Sequence, residues 1–89
     1  KQTLLHLAAE AGQEQNVSCL LQHSASINAQ DQSKRTPLFL AVTQNQLSIV
    51  ELLLEKKADL SLVNEANETV LHVAAFHNHH QLLKKLLTY

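Results

Sequence analysis

At 89 residues the chain has room for one domain, and a domain this small buries only about 60% of the surface its unfolded chain exposes. Apolar residues make up 45% of it, which argues against disorder, and no stretch approaches the roughly 20 apolar residues that a membrane span needs. Lys and Arg number 7 against 8 Asp and Glu, a net charge of -1 with no basic stripe, so no nucleic-acid partner is expected.

The first predicted helix begins at Thr3-Leu4-Leu5-His6-Leu7-Ala8-Ala9. Thr3 is placed to cap it, and Leu and Ala line its packed face. Gly12 marks a turn, and Val17, Leu20 and Leu21 give the next helix its apolar stripe. Cys19 lies among them and is expected to be a small core residue. Ala25 and Ile27 lead into a loop, and the pattern restarts at Thr36-Pro37-Leu38-Phe39-Leu40-Ala41-Val42. Thr36 again suits a cap, and Pro37 suits the first helical position, where no N–H bond is lost. The following helix, Leu47 to about Lys56, is apolar around most of its circumference. That is the pattern of a helix sandwiched between two others. A third round opens at Thr69-Val70-Leu71-His72-Val73-Ala74-Ala75 and continues through Leu83, Leu86 and Leu87.

Thr3, Thr36 and Thr69 are spaced by 33 residues, and the second helices keep the same step. Val17, Val50 and Leu83 align, as do Leu20, Leu53 and Leu86, then Leu21, Leu54 and Leu87. In period and in its Thr-x-Leu-His-x-Ala motif the chain resembles the ankyrin-repeat family over its whole length. The resemblance implies an all-α solenoid of about three stacked helix–turn–helix units with hairpin loops, a single array. Its units would cover about residues 1–33, 34–66 and 67–89, the last truncated. A lone unit of this kind cannot bury its apolar face, so each depends on its neighbour.

The family usually has glycine at its turns, and here departs from that. Gly12 is matched by Asn45 and Asn78, Lys34 and Asn67 stand at the hairpin tips, and Ser24 and Lys57 follow the second helices. Asn accepts a left-handed backbone with little strain, whereas Lys there costs about 1 kcal/mol or more. Polar residues at Gln13 to Asn16 and at Lys85 suggest that the outer units act as partial caps. The start at Lys1 and the stop at Tyr89 suggest a piece of a longer protein.

The chemistry-bearing residues do not assemble an enzyme. His77, His79 and His80 cluster in one turn, yet no nearby cysteine and no helical pair of histidines completes a metal site. His6 and His72 sit where the family uses histidine structurally, and Phe39 forgoes that hydrogen bond in the middle unit. No nucleophile and orienting acid accompany them, and one glycine cannot build a phosphate loop. Polar helix faces rich in Gln and Asn argue against a membrane surface. No cofactor, metal or small-molecule substrate is expected. The single Cys19 cannot form an internal disulfide and suits a reducing, intracellular setting, cytoplasmic or nuclear.

What the resemblance implies is a non-catalytic module that holds another protein along its hairpins and first helices. The matching solvent-facing positions are Gln2, Glu10, Gln32, Ser33, Arg35, Thr43, Gln44, Glu65, Glu68, Phe76 and His77. Ala11, Gln30, Val63 and Ala66 flank them. Phe76 is the expected anchor, and Arg35 offers a planar fork for a partner carboxylate. A scaffold or adaptor fits these features. So does an inhibitory subunit masking a transcription factor or kinase, or a regulatory segment of a larger enzyme or channel. Exposed ends of the stack also leave self-association open.

Overall fold

Each of the three threonines starts a helix. In the computed structural model, which describes residues 2–88, all three have extended backbone and the helix begins one residue later. Among the described residues there are six α-helices and no β-strand. They are α1 (Leu4–Ala11), α2 (Glu14–Gln22), α3 (Pro37–Thr43), α4 (Leu47–Glu55), α5 (Val70–Phe76) and α6 (His80–Thr88). Each odd-numbered helix pairs with the even-numbered one that follows it, α1 and α5 flank α3, and α2 lies against α4. The result is a stack of three helix pairs, as the period requires.

Caps fix where the first helices begin. The Thr3 hydroxyl accepts from the His6 N–H at 3.3 Å, and the Thr3 N–H donates back to His6 Nδ1 at 3.2 Å. Because Nδ1 accepts, the ring proton sits on Nε2. That nitrogen donates to the Arg35 carbonyl at 2.7 Å, tying the first helix to the next hairpin. In α3 the Thr36 hydroxyl accepts from the Phe39 N–H at 3.4 Å, but the ring of Phe39 has no polar atom to reach onward and is simply buried.

The turns repeat with the same fidelity. The N–H groups of Gln13, Gln46 and His79 donate to the carbonyls of Ala8, Ala41 and Ala74. Those of Ala25 and Ala58 donate to Leu20 and Leu53. These bonds span a left-handed residue just past each helix end and satisfy carbonyls the helix leaves open. Gly12, Ser24, Asn45, Lys57 and Asn78 fill that role, with φ between 55 and 73°. Lys34 and Asn67 are also left-handed, at the hairpin tips. A Cβ at Gly12 would meet the end of the Gln46 side chain at 2.7 Å, so that flexible side chain would have to move aside.

The core runs along the stack. In α3 every residue from Pro37 to Val42 is buried, because this helix has a neighbour on either side. Leu53, Leu54, Ile49 and Val50 do the same for α4. The end units are less complete. In α2 only Val17 is buried, and α6 buries Leu82 and Leu86. The outer face of the first unit is only partly polar: Gln13 to Asn16 are exposed, as a partial cap requires, but apolar side chains are exposed as well. Leu4 and Leu7 on α1 are 69% and 51% exposed, and Cys19, expected in the core, is exposed beside them.

Two outcomes test this packing. Leu53→Ala should lose about 2–5 kcal/mol in urea unfolding, because a fully enclosed leucine leaves a cavity. Leu20→Ala, at the matching but partly covered position of the first unit, should lose clearly less. Lys57→Gly should raise stability by roughly 0.5–1 kcal/mol, the left-handed penalty less the entropy that glycine adds to the unfolded chain; thermal melts read the shift.

Candidate partner-binding surface

The hairpins are built by one repeated side chain that sequence reasoning passed over. Asp31 Oδ1 accepts from the N–H groups of Ser33 and Arg35 at 2.9 and 2.8 Å. One repeat later, Asn64 Oδ1 accepts from Ala66 and Glu68 at 3.0 and 2.9 Å. Backbone bonds close each turn, from Asp31 N to Arg35 O and from Asn64 N to Glu68 O. Asp and Asn favour such turns because their short side chains reach backbone N–H groups two residues on. The signal was present in the sequence as a polar Asx residue at the same register in both loops.

These turns gather part of the predicted surface. Ser33, Arg35 and Glu65 line a shallow groove of about 340 Å³ with Asn64 and Ala66. The Glu65 N–H donates to the Ser33 carbonyl at 2.8 Å, so adjacent hairpins are joined directly. Gln30 Nε2 adds contacts to the Lys34 and Val63 carbonyls. Gln32 is exposed on the tip, and Glu68 is half-buried, accepting from Asn64 Nδ2 at 3.3 Å. Arg35 is not the open fork expected of it. Its Nε and Nη2 both lie 3.1 Å from Asp31 Oδ2, and Gln2 Nε2 donates to the same oxygen at 3.4 Å.

Asp31 is therefore the electrostatic centre of the hairpins. Burial pushes its carboxyl upward, but the Arg35 N–H, the Gln2 amide and the Arg35 guanidinium outweigh that and hold it below its ordinary value.

The remaining predicted residues form a row along the C-terminal ends of the first helices. Glu10 is half-buried, and its carbonyl accepts from Gln46 Nε2 at 3.4 Å. Thr43 spends its hydroxyl on the Phe39 carbonyl at 2.9 Å, and its own carbonyl accepts from His79 Nε2 at 3.1 Å. Gln44 is exposed. Phe76 is 82% exposed, with its ring edge-on to His77 at a centroid distance of 5.2 Å. His77 in turn stacks on His79 at 5.5 Å. Among the described residues no hydrogen bond, ion pair or ring contact links Phe76 or His77 to the Arg35 groove.

Sequence reasoning also missed an apolar groove of about 600 Å³ on the outer face of the first unit, lined by Leu4, Leu7, Ala8, Cys19 and Leu20 among others. Cys19 was misplaced because its neighbours in sequence are apolar, while its helix face has nothing packed on it. Among the described residues no three His, Cys, Asp or Glu side chains are grouped to hold a metal ion. No helix among them is long and apolar enough to cross a membrane.

A family model described as ankyrin repeats, three copies, matches residues 1–64, and one described as ankyrin repeat matches residues 66–89. This chain belongs to the ankyrin-repeat family. Two curated relatives share a shorter stretch. Rabankyrin-5 of Homo sapiens is 57% identical over 37 residues, 42% of this chain and 3% of that protein. Rabankyrin-5 of Mus musculus gives the same identity over the same share. The ankyrin array described here therefore spans only a small part of the length of these relatives.

The ankyrin hairpins should be pH-sensitive through Asp31. Its folded-state carboxyl is depressed, so its stabilising contribution is complete above the unfolded value of 3.8 and is lost as pH falls through the lower folded value. Asp31→Asn should flatten the fall in stability below about pH 4. Asp31→Ala, which leaves the Ser33 and Arg35 N–H groups without their acceptor, should cost about 1–3 kcal/mol at neutral pH. Urea titrations across pH measure both.

Proposed function

We propose that this ankyrin array is a non-catalytic interaction module, a scaffold or adaptor, that grips a partner protein along its hairpin tips and first-helix ends. Ankyrin repeats are generally protein–protein interaction modules and are generally not catalysts. What supports a particular surface is Phe76: a large aromatic ring, 82% exposed, held edge-on by His77. Single exposed apolar residues are ordinary on protein surfaces, but rigid aromatics are where interface energy concentrates. Gln44 and Glu10, along the same row, supply a polar rim of the kind that surrounds such anchors. The Ser33, Arg35 and Glu65 groove offers a second, polar contact, in which Arg35 acts with Asp31 as a neutralised pair rather than as a lone cation. The lone thiol of Cys19 suits a reducing compartment, cytoplasm or nucleus.

Affinity capture from cell lysate with the wild type, Phe76→Ala and Arg35→Ala in parallel tests this. Phe76→Ala should weaken recovery of the partner at least tenfold, the scale of about 1.4 kcal/mol or more expected of an anchor. Arg35→Ala should weaken it less, because its charge is already engaged. Circular dichroism should show unchanged helical content in both. Undiminished capture by both variants would remove this surface from consideration.

A further inference from the structure

Three aromatic rings meet where α5 turns into α6, and they reach back into the middle unit. Asn78 is left-handed, with φ 55°, and this turns the chain so that the side chains before and after it lie alongside each other. The His77 and His79 rings stack, 19° from parallel with centroids 5.5 Å apart. Phe76 stands edge-on to His77, at 85° and 5.2 Å. At the other end of the row, His79 Nε2 donates to the Thr43 carbonyl at 3.1 Å, and the His79 N–H donates to the Ala74 carbonyl at 2.9 Å. His79 is half-buried and fixed at two points, while His77 and Phe76 are exposed.

The register separates what the stack requires from what it does not. Gln46 holds the His79 position in the second unit, and its Nε2 makes the equivalent bond, to the Glu10 carbonyl. A glutamine therefore suffices to tie one unit to the next. What a histidine adds is a flat face, and His77 lies on it. In the other units the residues aligned with Phe76 and His77 are Glu10 and Ala11, then Thr43 and Gln44, so no ring is there to be held. Glu10 and Thr43 are only half-buried with a unit stacked beyond them, so this register position reaches solvent inside an array as well.

We propose that His79 is a positioning residue for the Phe76 anchor: bound to the middle unit, it holds His77, and through His77 it fixes the direction in which the Phe76 ring points. The role of His79 rests on Phe76 being the partner anchor. An anchor ordered before contact loses less freedom on binding, so the row of rings raises affinity without His79 touching the partner. Ring pairs of this kind favour one arrangement by about two- to tenfold. The row also ties the partner surface to the junction between the second and third units, because it ends on the Thr43 carbonyl.

Two substitutions separate the ring from the hydrogen bond. His79→Gln keeps the bond to Thr43, as Gln46 does in its own place, and removes the ring. His79→Phe keeps the flat face and removes the bond. Three-bond NMR couplings from the backbone nitrogen and carbonyl carbon of Phe76 to its Cγ read its rotamer in the isotope-labelled 89-residue chain. Wild type and His79→Phe should show one dominant rotamer, and His79→Gln and His77→Ala should show averaging. Thermal melts should order the variants the other way, with His79→Gln matching wild type and His79→Phe melting lower. Recovery from lysate of the protein that wild type captures and Phe76→Ala loses should fall about two- to fivefold with His79→Gln. If His79 only ties the units together, His79→Gln leaves both the Phe76 couplings and the capture as in wild type, and that result overturns the proposal. Capture that depends on Phe76 but not on the His79 ring overturns the role of His79 and leaves the anchor standing. Capture indifferent to Phe76→Ala overturns the anchor, and the role of His79 with it.

Discussion

Everything in this molecule depends on each helix pair lending an apolar wall to the next. The middle pair shows the condition met on both sides. From Pro37 to Val42 no residue of α3 reaches solvent, and Leu53 and Leu54 on α4 are sealed as well. Enclosing one such side chain is worth about 1.5–3 kcal/mol, a large share of the net stability of a small domain. The end pairs have the same sequence pattern but one missing neighbour, and their burial falls accordingly. Stability is therefore a property of the junctions as much as of the units.

Hydrogen bonds make those junctions specific. Apolar faces alone would tolerate sliding, since the hydrophobic effect has no direction. Here His6 reaches the Arg35 carbonyl, Gln46 the Glu10 carbonyl, His79 the Thr43 carbonyl, and the Glu65 N–H the Ser33 carbonyl. Each bond runs between consecutive units and is satisfied at one register only. The left-handed Ser24, Lys34 and Lys57 are held within the same framework. A strained backbone persists where its surroundings over-determine it, and the repeated turn bonds on either side supply that constraint.

Much of this was legible in the sequence. Three copies of one pattern in phase fixed helix order and the position of most core residues, and the left-handed turns followed from where glycine was replaced. Exposure of Phe76 was also legible, because the matching residues of the other units, Glu10 and Thr43, are polar. Cys19 was not, because burial on an end face depends on whether anything stacks there, and a residue's neighbours in sequence do not carry that information. Arg35 was misread for a related reason. Its guanidinium is paired with Asp31, four residues back, and only the turn geometry brings the two together. The same turn hides Asp31 and Asn64, whose importance lies in backbone N–H groups that sequence patterns do not display.

The two kinds of surface on this array obey different rules. The hairpin groove and the Phe76 row are set by local turns and caps, so they are complete within one unit and its neighbour. Their residues vary from unit to unit, Glu10, Thr43 and Phe76 at one register position and Gln2, Arg35 and Glu68 at another, because the bonds between units reach backbone carbonyls at these positions, those of Glu10, Thr43 and Arg35, and do not require a particular side chain. The end faces are the reverse. Their residues are restrained by the need to fit a neighbouring unit, so Leu4 resembles Val70 and Leu87 resembles Leu54. Variation along the side and repetition along the axis are what a stacked array requires if it is to recognise something specific without disturbing the contacts that hold it together.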